Sequence, residues 1–149
     1  MTAISPTEDH AAAREKWLAR AENRARRPYF LLHLSSQGLL LQVDVRRSFL
    51  AGAWASVIVM AQAVIEASLR DLQTQDYDSK AKALFFGQED LERMRNLRNE
   101  LVHPQAPGTA SLVWAVPNGD YVACHANLEA DAKRAYELMF EAIYANSEA

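Results

Sequence analysis

Cysteine is all but missing from this chain. Cys124 stands alone, so no intramolecular disulfide can form and no cysteine-rich zinc site can be built. Glycine and proline are scarce, five of each in 149 residues, which favours long helices over the short, turn-linked strands of a sandwich or barrel. An excess of positive charge is lacking too, and a net charge of −3 argues against a basic protein that coats nucleic acid in bulk. The opening MTAISPTEDH has no basic stretch followed by an apolar one, so no secretory signal is expected. The longest apolar run, 49–65, is interrupted by Ser56 and Gln62 and stopped by Glu66. It falls short of the roughly 20 apolar residues that a bilayer requires, and a helix buried on several sides is the better reading. A cytoplasmic protein without a membrane partner is the expectation.

Chemistry-bearing motifs are also few. No Gly-rich phosphate loop, no GxSxG elbow and no HExxH is present. His10, His33 and His125 share no ligand spacing, and the turn that Asp76, Asp78 and Ser79 suggest explains those acids as well as a cation would. No metal and no cofactor is therefore expected. Cys124 and His125 are neighbours, and on a strand they would point to opposite faces, which rules out a nucleophile pair made of those two alone.

What is present is apolar and helix-forming. Half the residues are hydrophobic, enough for a real core, and no repeat or linker divides the chain. Thr7 can cap a helix running to about Arg27, with Ala11, Trp17, Leu18 and Ala21 as its apolar positions. Its basic residues Arg14, Lys16, Arg20, Arg24, Arg26 and Arg27 face only Glu15 and Glu22. A solvated helix face is the simple account of them. A stripe that meets a polyanion is the functional one, and it makes Arg20, Arg24 and Arg27 candidate RNA contacts. The run 29–45 reads as helical, with Ser35-Ser36 and Gly38 as weak points.

The strongest helical pattern covers Arg46 to Gln73, apolar around most of its circumference through Phe49, Leu50, Trp54, Val57, Ile58, Met60, Val64, Ile65, Leu69 and Leu72. Such a helix needs cover on more than one side, which a second copy of a small bundle can supply. Gln62, Glu66, Arg70 and Gln73 form a narrow polar seam on it, and Glu66 with Arg70 reads as an i,i+4 ion pair. A short helix is expected over Lys80 to Phe86, and another from Glu89-Asp90 to Pro104 with the stripe Leu91, Met94, Leu97 and Leu101. Leu112 to Val116 and Tyr121 to Ala123 about Asn118-Gly119 read as a β-hairpin. Asn127 then caps a last helix whose inner face is Leu128, Ala132, Ala135, Leu138, Met139, Ala142 and Ile143. The sum is one mainly all-α domain, residues 1–149, an antiparallel helical bundle with a small β-hairpin or irregular insert before its last helix. A helical extension (about 7–45) would precede the core (about 46–146).

The stretch Met94 to Pro104, MRNLRNELVHP, joins residue types that suit phosphate chemistry. Arg98 offers a rigid, always charged fork of donors, and His103 exchanges protons near neutral pH. On a regular helix the two would lie about 140° apart in direction and roughly 7.5 Å apart along the axis, so they do not stack on one face. Pro104 loosens the backbone at His103, and a long arginine can reach a phosphate from the other side. Asn99 could orient the phosphate or the imidazole. With the RNA 2′-hydroxyl as internal nucleophile, such a set cleaves without a metal. The structural account is that Arg98 pairs with an acid such as Glu66 while His103 caps the helix end.

Arg98-Asn99-Glu100-Leu101-Val102-His103 resembles the R-polar-x3-H signature of the HEPN superfamily (higher eukaryotes and prokaryotes nucleotide-binding domains). The stretch Ala61 to Asp71, AQAVIEASLRD, resembles the long Ala-rich, Glu-bearing helix of these proteins. The resemblance spans roughly Arg46 to Pro104 and leaves the first 45 residues and the 112–123 insert without a counterpart. It implies a helical bundle acting as a homodimer, with two copies of the Arg and His meeting in a cleft at the interface. Many such proteins are metal-independent endoribonucleases of toxin–antitoxin and antiviral defence systems. Carried over, Arg98 and His103 would be catalytic and Asn99 and Glu66 accessory. RNA would be the substrate, with 2′,3′-cyclic phosphate ends as product, and an antitoxin or other protein a possible partner. Gln105 stands where one toxin branch has a tyrosine that its nucleotidyltransferase antitoxin modifies, which argues against that route of control. The alternative is a non-catalytic HEPN-like module that binds RNA or protein or only dimerises. An enzyme should place both copies of His103 in an open, electropositive dimer cleft with the Arg14–Arg27 stripe near it, whereas a scaffold should bury His103 or neutralise Arg98 with an ion pair.

Overall fold

A computed structural model describes residues 6–26, 36–70, 89–103, 110–113 and 120–145. Among these residues there are six helices and no strand: α1 (Pro6–Ala25), α2 (Ser36–Leu50), α3 (Trp54–Arg70), α4 (Glu89–Val102), α5 (Tyr121–Asn127) and α6 (Glu129–Ala145). The all-α bundle expected from the sequence is the fold. The stretch 80–86, for which a short helix is expected, and the Asn118-Gly119 turn lie outside the described residues.

The first helix opens on Pro6 rather than being capped by Thr7. Proline suits the first helical position because its missing N–H would have had no intrahelical partner. Leu18 and Ala21 are buried and Trp17 packs against the core, as their spacing predicts.

The long helix expected over Arg46 to Gln73 is instead two helices with a corner between them. Gly52 adopts φ 72°, its N–H donates to the Phe49 carbonyl at 3.0 Å, and the Ala53 N–H reaches the Ser48 carbonyl at 2.8 Å. Those paired bonds are a Schellman termination, which needs a left-handed residue and hence a glycine. Hydrophobic periodicity alone did not show the corner, because both helices present apolar faces to one core. A Cβ on Gly52 would also fall 2.8 Å from Arg14 Nη2.

Arg14 belongs to this corner. Its Nη1 donates to the Leu50 carbonyl at 3.0 Å, and its guanidinium carbon sits 5.1 Å from the Trp54 ring centroid. A cation thus satisfies a carbonyl at the end of α2, where the helix dipole is negative. Around it, Trp17 stacks on Phe49 at 5.1 Å, and Phe49 meets Trp54 and Tyr136 edge-on. Each such pair adds about 0.5–1.5 kcal/mol beyond its buried area.

Helix α3 runs through the centre and packs on α2, α6 and α4. Val57, Ile58, Ala61, Val64 and Ile65 are completely enclosed. The cover that this apolar helix requires comes from its own chain, so its hydrophobicity is no argument for a second copy. Every residue expected of the last helix's inner face is buried, Leu128 just before α6 and the others on it, with Tyr136, Phe140 and Tyr144 besides. Arg93 meets Asp131 at 3.3 Å and Arg134 meets Asp90 at 2.8 Å, which fixes α4 on α6 by exposed ion pairs worth little each.

The segment Tyr121 to Ala123 is not a strand. Asp120 Oδ1 accepts from the Val122 and Ala123 N–H groups at 3.0 and 3.2 Å, which nucleates α5. Its aspartate cap outweighs the Asn-Gly signal that suggested a hairpin. Asn127 does not cap the last helix either; it ends α5, and Leu128 links it to α6.

Candidate functional site

Helix α4 carries the Arg98–His103 stretch. Glu89, Asp90 and Glu92 lie in its first turn, where the positive end of the dipole stabilises them. Leu91, Met94 and Leu97 are buried, and Leu101 packs on the core. That stripe fixes the rotation of the helix and leaves Arg98 half-buried toward α3, while Asn99, Val102 and His103 are exposed. The helix ends at Val102, before Pro104, and the His103 N–H still reaches the Asn99 carbonyl at 2.9 Å.

Arg98 is held on two sides. Its Nη2 donates to Glu66 Oε1 of α3 at 3.0 Å, and its Nε donates to Asn99 Oδ1 at 2.9 Å. The Arg98 and Glu66 side chains are 24% and 23% exposed, so solvent screens the pair only in part. Glu66 therefore pairs across helices with Arg98, whereas the sequence also suggested Arg70 as its partner. Asn99 orients the guanidinium. Among the described residues, Nη1 and the second Nη2 hydrogen have no acceptor, because a guanidinium carries donors on all three nitrogens and only Nε and one Nη2 hydrogen are used. Arg98, Asn99 and Glu66 are thus brought together, with exposed His103 at the end of the same helix. Arg98 has the acidic partner that the scaffold reading expects, and His103 is exposed at the end of α4.

Glu100, inside the same stretch, was not singled out from the sequence. Its carboxylate accepts from the Ser111 hydroxyl, from the Leu112 N–H at 2.8 Å and from the Val113 N–H at 3.2 Å. It thereby fastens the 110–113 segment to the end of α4, and Val113 is buried in the core. Its partners lie 11 to 13 residues downstream, beyond the reach of any local pattern.

The basic run of α1 is divided among several uses. Arg14 closes the α2–α3 corner. Arg26 lies 3.6 Å from Glu22, which also accepts from the Tyr144 hydroxyl at 2.6 Å. Arg20 and Arg24 are exposed, and Arg27 lies outside the described residues. Burial pushes the phenol of Tyr144 upward, with the Glu22 bond adding to it, and burial pushes that of Tyr136 well above its ordinary range.

Among the described residues no cluster of histidine, cysteine, aspartate and glutamate could hold a metal ion, and no helix is long and apolar enough to cross a membrane. Cys124 is buried on α5 and His125 beside it is exposed, so these two do not form a nucleophile pair. Compared with protein-family models, with curated proteins and with solved structures, the chain matches none.

Proposed function

We propose that the chain is a HEPN-like, metal-independent endoribonuclease of toxin or antiviral-defence type, working in the cytoplasm as a homodimer. The reading is supported by the resemblance of the Arg98–His103 stretch. The observation that carries it is the guanidinium of Arg98, pinned by Glu66 and Asn99 with donors left over, on the helix that ends in an exposed His103. A preset cation stabilises charge as it builds on a phosphate without reorganising at the moment of reaction. In the proposed reaction His103 takes the proton of the RNA 2′-hydroxyl. The 2′-oxygen bonds to phosphorus, the bond to the 5′-oxygen breaks, and that oxygen leaves with a proton from His103 of the second copy. The product ends are a 2′,3′-cyclic phosphate and a 5′-hydroxyl. Arg98 and His103 are the catalytic residues, while Glu66 and Asn99 position the guanidinium.

The second reading is a non-catalytic module that binds RNA, an antitoxin or another protein, or only dimerises. The Arg98–Glu66 ion pair favours it, because it neutralises the cation that catalysis would use. One experiment divides the two readings. Purified protein is incubated in EDTA with a pool of tRNA and mRNA, beside Arg98→Ala and His103→Ala. Cleavage by the parent alone, with cyclic phosphate ends, is the expected result. No cleavage by a folded, dimeric parent leaves the binding module as the function.

A further inference from the structure

Away from the Arg98–His103 stretch, a cleft of about 380 Å³ opens between α1 and the start of α6. Its walls are His10, Arg14, Trp17 and Arg20 of α1 and Glu129 and Lys133 of α6. With Ala13 between them, His10, Arg14, Trp17 and Arg20 recur at spacings of three and four, so one helical stripe supplies a whole wall. Three permanent cations face one carboxylate there, in a protein whose net charge is −3. Charge in this molecule is therefore locally reversed at a concavity, and its size is that of a small-molecule site.

The cations differ in how they are held. Arg14 is tied to the Leu50 carbonyl and the Trp54 ring, so it contributes field rather than contact. Arg20 is exposed and has no ion-pair partner among the described residues. Lys133 lies 3.7 Å from Glu129, a loose exposed pair, and its Nζ stands 5.6 Å from the centre of the Trp17 ring. The indole is fixed from behind by its stack on fully buried Phe49. The Lys133 ammonium lies over the outer face of this rigid, half-exposed indole, so a planar base stacks there by displacing the ammonium toward its phosphate, beside Arg20.

From this juxtaposition we infer that the α1–α6 cleft binds a nucleotide unit, with Arg20 and Lys133 on the phosphate and the Trp17 indole under the base. Glu129, an acceptor at the rim, suits a ribose hydroxyl. The ligand is chosen on the RNA-directed reading above, and the site lies outside the catalytic residues of that reading. A unit within an RNA chain and a free mononucleotide share this chemistry, and the test separates them.

The test uses the full chain carrying His103→Ala, so that no RNA is consumed. A fluorescein-labelled oligouridylate and, separately, AMP are titrated into it, followed by anisotropy and by indole fluorescence across a salt series. Arg20→Gln with Lys133→Gln in the same background should weaken binding roughly tenfold and reduce the salt dependence by about one unit of slope for each phosphate contact removed. Weakening with the oligouridylate alone assigns the cleft to a chain, and weakening with AMP as well assigns it to any nucleotide. Equal affinity in the folded double variant, verified by circular dichroism, overturns the inference. So does failure of both probes to bind. Cleavage is scored separately in protein with His103 intact, so an inactive parent whose RNA binding still depends on Arg20 and Lys133 defeats the nuclease reading and leaves this one standing.

Discussion

Arg14 and Arg98 are both half-buried arginines that one helix presses against a neighbour, yet their surroundings differ in kind. Arg14 meets a backbone carbonyl and an indole face, neutral partners that belong to the α2–α3 corner. Arg98 meets a carboxylate from α3 and an amide from its own helix, at the edge of the core beside the end of α4. Arg14 spends one N–H on the carbonyl and lays its face on the indole, contacts that close a corner of the fold. Arg98 spends two N–H groups on side chains that aim it. On the function proposed above, partner chemistry, more than burial, separates an arginine of the fold from one that meets a ligand.

Substitutions sharpen that contrast, beginning with the largest effect. His103→Ala should lower cleavage in EDTA by about 10²–10⁴-fold while the thermal midpoint stays near that of the parent, since the residue is exposed. Overexpressed in a host, the parent should be harmful and this variant harmless; a folded variant that remains as toxic removes His103 from the mechanism. Phe49→Ala, in the middle of the aromatic cluster, should cost about 3–5 kcal/mol in a urea titration. Gly52→Ala meets both the positive φ and the Arg14 guanidinium and should lose about 1–3 kcal/mol.

Arg14→Ala should cost about 1–3 kcal/mol and leave the rate per folded molecule unchanged, whereas Arg98→Ala should cost under about 1 kcal/mol and abolish cleavage. If Arg14→Ala proves the more damaging to rate and Arg98→Ala to stability, the contrast drawn here is inverted. The smallest effect is alkaline. Tyr136 keeps its proton when folded at a pH where an unfolded tyrosine ionises, so its contribution is full below about pH 10 and declines as pH rises above that value. The urea midpoint should accordingly fall between pH 9 and pH 11, and Tyr136→Phe should flatten that decline.

Patterns within a few residues of one another were legible without a structure. The stripe of Leu91, Met94 and Leu97, the inner face of α6 and the acidic start of α4 repeat with the helical period, and all lie where that period puts them. The Arg98–His103 stretch was visible for the same reason, as a local grouping of residue types. Features that depend on a distant partner were mostly hidden, the Arg98–Glu66 pair being the exception. The corner at Gly52 was hidden inside a continuous apolar pattern, although a glycine before a small residue was its one signal. The Asn118-Gly119 turn signal pointed to a hairpin, but the Asp120 cap turned Tyr121 to Ala123 into helix.

The sequence by itself determined the fold class, since few breakers and a 3.6-residue apolar period leave a helical bundle as the economical way to bury half the chain. It also determined that Arg98, Asn99 and His103 share the end of one helix. Tertiary structure alone decided between Arg98 and Arg70 as the partner of Glu66, that Glu100 would fasten the 110–113 segment, and that Trp17, Arg20 and Lys133 would line one cleft. The reason is physical. Local order follows from bonds within about four residues, whereas the partner of a charge is set by which helix faces pack together, and packing depends on the whole core at once.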